Sequence, residues 1–123
     1  MAANPAVWFE IYVQDMPRAR TFYETVLGTS LARLNDPPAE MWAFPGDMTT
    51  PGCSGSLVCV AGMPSGGNST IVYFHCGDCS VEEARVPSAG GTIMRPKMSI
   101  GPYGFVTLAY DTEGNLFGLH SLK

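Results

Sequence analysis

Residues 8–29 read WFEIYVQDMPRARTFYETVLGT, and this stretch decides the fold. Its first part alternates, with Phe9, Ile11 and Val13 on one side and Trp8, Glu10 and Tyr12 on the other, the period of a strand with two distinct faces. Asp15 then stands as an N-cap, and Pro17 falls in the first helical turn, where a missing N–H costs nothing. Met16, Ala19, Phe22, Tyr23, Val26 and Leu27 recur at helical spacing, and Gly28 supplies the stop. The same signals return 63 residues later. Asp15 recurs as Asp78, Gly28 as Gly91 and Thr29 as Thr92, while Phe9, Ile11 and Val13 fall on Val72, Phe74 and Cys76. Self-similarity at a fixed period means one supersecondary unit used twice.

Outward from the first copy, three short apolar segments follow at residues 30–34, 41–44 and 56–61, separated by the turn-rich stretches 35–38 (NDPP) and 45–47 (PGD). Residues 61–69 are small and polar and read as a flexible linker. In the second copy an alternating strand over 70–76 leads to a helix beginning near Asp78 or Ser80, where Ser80 and Glu83 offer a capping box and Pro87 ends the helix early. A short strand at 92–95 and a loop at 98–104, readable as a lid, precede strands at 105–110 and 116–121. The turn DTEGN, Asp111 to Asn115, joins those last two. The expectation is one α+β domain over residues 1–123: two βαβββ modules in tandem (about 5–60 and 70–123), curved mixed sheets around a trough, and helices on the outer face.

Composition narrows the function. At 123 residues, 46% hydrophobic and 15% charged, the chain can bury a substantial core. A net charge of −4 with no basic run argues against nucleic acid, and leans only weakly toward cationic ligands. No stretch approaches a membrane span, and the start lacks the regions of a secretory signal, so a cytoplasmic location is expected. There the four cysteines read as thiols before disulfides. Cys76 and Cys79 have the C-x-x-C spacing of a redox motif, but Cys76 takes the helix-facing position of Val13, and Cys53 and Cys59 do not complete a zinc ribbon.

Paired βαβββ modules, the run from Asp15 to Gly28 (DMPRARTFYETVLG) and the closing DTEGNL hairpin resemble the vicinal oxygen chelate superfamily, which includes glyoxalase I, extradiol dioxygenases and bleomycin-resistance proteins. The opening at Trp8 to Ile11 and the ending at Gly118 to Ser121 are most similar to its uncharacterised glyoxalase-related branch. The resemblance implies a homodimer and a divalent metal held by His and Glu on the trough faces. The matching positions here are Trp8, Ile71 and Gly118, and the remaining one falls within residues 51–70, which contain no Asp, Glu or His. Indole, alkyl and hydrogen do not coordinate such a cation, so no metal and no other cofactor is expected.

The trough face then carries the candidate site. Glu10, between Trp8 and Tyr12, reads as a general acid or base with a pKa raised by aromatic walls, or as an ion-pair partner of Arg33, Arg95 or Lys97. His75 shares a face with Tyr73, and His120 lies two residues past Gly118; either one pairs with Glu10 for proton transfer, or each bonds a backbone carbonyl at a strand end. Trp8, Tyr12, Trp42, Tyr73, Tyr103 and Phe105 form a candidate aromatic lining for a ligand. Whether the protein is an enzyme stays open. The leading reading is a glyoxalase-related protein binding or converting a small organic molecule in a metal-free cavity. The alternatives are a drug-sequestering module similar to bleomycin resistance and a metal-independent isomerase or lyase.

Overall fold

Strand β1 (Trp8–Tyr12) runs directly into helix α1 (Met16–Leu27), and the local chemistry is what the spacing predicts. The Asp15 side chain accepts from the Arg18 N–H at the open helix start, and Gly28 closes the other end at φ 65°, a left-handed conformation that suits glycine. Met16, Ala19, Phe22, Tyr23 and Val26 form the buried stripe of α1. The computed structural model describes residues 4–34, 39–47, 49 and 51–123. The turn expected at Asn35, Asp36, Pro37 and Pro38 lies outside the described residues.

Strands β2 (Ala32–Arg33), β3 (Glu40–Ala43) and β4 (Ser54–Cys59) complete a sheet of order β1-β4-β3-β2, with β1 parallel to β4. The second half repeats it. Strand β5 (Val72–His75), helix α2 (Cys79–Ser88) and strands β6 (Thr92–Ser99), β7 (Phe105–Tyr110) and β8 (Leu116–Ser121) give a sheet of order β5-β8-β7-β6. The duplication read from the 63-residue period is thus present in the strand order.

Three local expectations need correction. Asp78 rather than Ser80 caps α2, by accepting from the Ser80 N–H, so the Ser80–Glu83 box does not form; Glu83 instead accepts from the Lys97 N–H and the Thr107 hydroxyl. Pro87 lies inside α2, which reaches Ser88, because a proline in the last turn removes a single helical hydrogen bond; at 10 residues the helix is still shorter than the 12 of α1, as expected. Strand β6 runs on to Ser99, through two register irregularities opposite β7. Bulges and the edge position let it carry Pro96, and they shorten the expected lid to a 3-10 turn at Gly101–Tyr103.

Both helices pack on one side of the sheets and touch each other, the Arg85 guanidinium donating to the Val26 carbonyl from α2 to α1. An aromatic cluster is drawn from both halves: Phe9, Tyr23 and Phe44 from the first, Phe74 and Phe117 from the second, with neighbouring ring centroids 5.2–6.1 Å apart. The edge strands β1 and β5 approach through Phe9 and Phe74, 6.0 Å between centroids, but belong to separate sheets.

The β7–β8 turn joins the halves. Buried Asp111 accepts from the Tyr23 hydroxyl at 2.6 Å, and Asn115 donates to the Tyr12 carbonyl at 3.0 Å. Glu113 accepts from the backbone N–H groups of Gln14 and Asp15, from the Thr112 hydroxyl and from Arg18 at 2.7 Å. The linker expected to be flexible is tied to the same turn: Ser65 donates to the Glu113 carbonyl, and the Gly66 N–H donates to the Asn115 side chain.

Burial alone would raise the Glu113 carboxyl, but Arg18, the two N–H groups and Thr112 outweigh it and hold the pKa down at about 2. A carboxylate whose folded pKa is depressed contributes stability above its unfolded pKa and loses it as pH falls through the folded one. Urea unfolding across pH should therefore show stability declining between about pH 4.5, the ordinary Glu value, and about pH 2. Glu113→Gln should flatten that slope and cost about 2 kcal/mol at neutral pH.

Candidate functional site

Opposite the helices each sheet leaves one face uncovered, and the strand register says what stands on it. On the first sheet Trp8 faces Ser54, Glu10 faces Ser56 and Tyr12 faces Val58. Glu10 is exposed and holds both aromatic neighbours: its Oε1 accepts from the Tyr12 hydroxyl at 2.9 Å and its Oε2 from the Trp8 indole N–H at 3.3 Å. That hydrogen bond to Glu10, then burial, then the carboxylate charge raise the Tyr12 pKa. Ser56 and Val58 form a buried floor, and the Ser56 Oγ has no hydrogen-bond partner. The three ion pairs among the described residues join Arg18 to Glu113, Arg20 to Glu24 and Lys97 to Asp78, so Glu10 is in none of them.

On the second sheet Tyr73 faces Gly118 and His75 faces His120. A side chain at residue 118 would grow straight into the Tyr73 ring, which lies over the bare glycine. His120 Nε2 sits 2.7 Å from the Tyr103 carbonyl, an acceptor, so that nitrogen donates to it. His75 is exposed. Arg95 and Met98 share this face, opposite Leu108 and Val106, and the Arg95 guanidinium rests on the Met98 sulfur.

The expected site residues are therefore only partly gathered. Trp8, Glu10 and Tyr12 stand together, as do Tyr73, His75 and His120, with Tyr103 exposed at the 3-10 turn beside His120. Glu10 bonds neither histidine; its partners are on its own strand. Trp42 and Phe105 lie on the helix side instead of the uncovered face. Trp42 packs on the core beneath the Arg20 guanidinium, 3.5 Å from the ring centroid, and Phe105 packs on the core beneath Lys97. Parity carried a signal for Trp42, since it alternates in step with Phe44, and two bulky aromatics on one strand face belong in the core.

The family metal does not fit these residues. Register equates Glu10 with Tyr73 and so places Ser56 as the counterpart of Gly118, the position that sequence left unassigned. The four positions thus hold indole, alkyl, hydroxyl and hydrogen, and the room for a ligand at 118 is taken by the Tyr73 ring. Among the described residues no three of His, Cys, Asp and Glu are clustered to hold a metal ion. A cavity lined by Ile11, Tyr23, Val72 and Phe117 has a volume of about 70 Å³, far below the few hundred Å³ that a drug-sized ligand needs, and another of about 230 Å³ is lined by Pro45, Asp47, Pro51 and Ser54.

The C-x-x-C pair is quiet. Burial, then the Glu82 carboxylate, pushes the Cys76 thiol up to about 12, and Cys79 is wholly buried against Thr107. Such thiols are poor nucleophiles at neutral pH.

Comparison with known proteins agrees with the architecture. The family model described as Glyoxalase/Bleomycin resistance protein/Dioxygenase superfamily matches residues 6–119. No curated protein matches the chain. Among solved structures, glyoxalase I from Zea mays is similar with a TM-score of 0.71 at 20% identity, over 94% of this chain and 44% of that one, so the chain spans less than half of the maize protein. A glyoxalase-related enzyme from Fulvimarina pelagi gives 0.67 at 16% identity, over 96% and 88% of the two chains. TnmS3, an antibiotic binding protein from Streptomyces sp. CB03234, gives 0.64 at 26% identity, over 100% and 99%.

Two outcomes test the site as described. Gly118→Ala should cost about 1 kcal/mol through the clash with Tyr73, and most of that cost should vanish in the Tyr73→Ala background, as a double-mutant cycle by chemical denaturation would show. Thiol labelling at pH 7.5 should modify exposed Cys53 first, and reach Cys76 and Cys79 only on unfolding.

Proposed function

From the Glyoxalase/Bleomycin resistance protein/Dioxygenase superfamily, to which this chain belongs, we propose a member that binds a small organic molecule on its uncovered sheet faces without a metal ion. The observation that carries this reading is the Tyr73 ring over Gly118: a position that would hold a metal ligand is glycine, and an aromatic side chain fills the space. Trp8 and Tyr12, ordered by Glu10, offer a second aromatic surface on the other sheet. The likeness to TnmS3, an antibiotic binding protein, supports sequestration of an antibiotic-like compound as one form of this function.

A second reading is supported by the direct pairing of His75 with His120. His120 is held to the Tyr103 carbonyl through Nε2, and two histidines at paired positions on neighbouring strands support the proton transfers of a metal-independent isomerase or lyase. Glu10 is less suited to that role, because it bonds neither histidine and its partners Trp8 and Tyr12 lie on its own strand. A homodimer and a cytoplasmic location complete the proposal. No helix among the described residues is long and apolar enough to cross a membrane.

A thermal-shift screen with aromatic acids, amines and antibiotics should find compounds that raise the melting temperature, while Zn²⁺, Ni²⁺ and Mn²⁺ should leave it unmoved. Stoichiometric metal in protein purified without chelators would overturn the metal-free reading. Turnover of a bound compound that is lost in His75→Ala and His120→Ala would favour catalysis over sequestration.

A further inference from the structure

The proposed binding face carries an anion that no ion pair among the described residues neutralises, and this points to the chemical class of its ligand. We propose, resting on that binding reading, that the Trp8–Glu10–Tyr12 face recognises a protonated amine carried on an aromatic or apolar body.

The Glu10 carboxylate is exposed on a chain of net charge −4 and belongs to none of the ion pairs among the described residues. Its hydrogen bonds to Trp8 and Tyr12 use one lone pair on each oxygen and leave the others directed outward. An indole N–H and a phenol O–H lie in the planes of their rings, so donating them leaves the π faces uncommitted. Trp8 is 43% exposed. An anion flanked by two ordered, electron-rich rings attracts a cation by charge and by the ring quadrupoles together. A neutral aromatic guest would gain only from the rings.

The same lone pairs favour a cation bearing N–H groups over a quaternary one. Each lone pair that the Glu10 carboxylate leaves free accepts from an ammonium N–H, and a trimethylammonium group has no N–H to give.

The test compares 2-phenylethylamine, cationic at pH 7, with 2-phenylethanol, its neutral counterpart, by calorimetry and by the indole N–H resonances of the folded protein. The amine should bind about tenfold or more tightly than the alcohol, its advantage should shrink with added salt, and it should move the Trp8 resonance but not that of Trp42. Glu10→Gln, with an unchanged melting temperature, should abolish the preference. N,N,N-trimethyl-2-phenylethylammonium should bind more weakly than the amine in the wild type. Equal binding of amine and alcohol, with Trp8 shifting for both, would refute the cation preference while leaving the face as a binding site. Binding by neither compound, or an amine preference that survives Glu10→Gln, would also refute it.

Discussion

A five-residue turn in the second half holds the start of the helix in the first. Asp111 accepts a hydrogen bond from the buried Tyr23 hydroxyl, Glu113 accepts from the N–H groups of Gln14 and Asp15 together with Arg18, and Asn115 donates to the Tyr12 carbonyl. A helix start leaves N–H groups without intrahelical partners, and a buried Tyr hydroxyl is costly unless it is bonded. The turn answers both needs at once. It thereby fixes where β1 ends and α1 begins, and with them the position of every residue on the uncovered face of β1.

The burial of this turn also explains why Glu113 stays ionised. Several donors converge on it, and their sum exceeds the cost of removing a carboxylate from water. Tyr23 shows the opposite outcome. Burial first, and then the Asp111 charge, push its pKa well above the usual phenol value, which keeps the proton on the hydroxyl where Asp111 needs it. The two halves are thus joined by a matched set of donors and acceptors as well as by the aromatic cluster beneath them.

On the uncovered faces the same fold carries different chemistry in its two copies. Glu10 with Ser56 and Tyr73 with Gly118 occupy equivalent places in the register. The first pair presents a charge and a hydroxyl, and the second a ring lying on bare backbone. A glycine opposite an aromatic residue is an economical arrangement, because the ring covers strand backbone that would otherwise be open to water. The asymmetry between the copies is what gives the face a polarity, with acid on one sheet and His75, His120 and Arg95 on the other.

How much of this could be read from the chain depended on the kind of signal. Periodicity, caps and turn residues are local, and they placed α1, β7 and β8 to the residue and revealed the duplication. The bulged edge strand β6 escaped because Pro96 reads as a breaker unless the strand is known to lie at an edge. The side taken by Phe105 escaped as well, since six residues of mixed apolar character fit either parity until a helix covers one face, whereas Trp42 shares its parity with Phe44. Sequence by itself determined the repeated strand–helix unit and which residues stand at its first strand and first helix, because both are written in residue identity and spacing. Only the tertiary structure decided that Glu10 orders its own neighbours, that Tyr73 lies over Gly118 and that Ser56 is left unbonded, because each depends on which atoms two distant strands bring within hydrogen-bonding or contact distance.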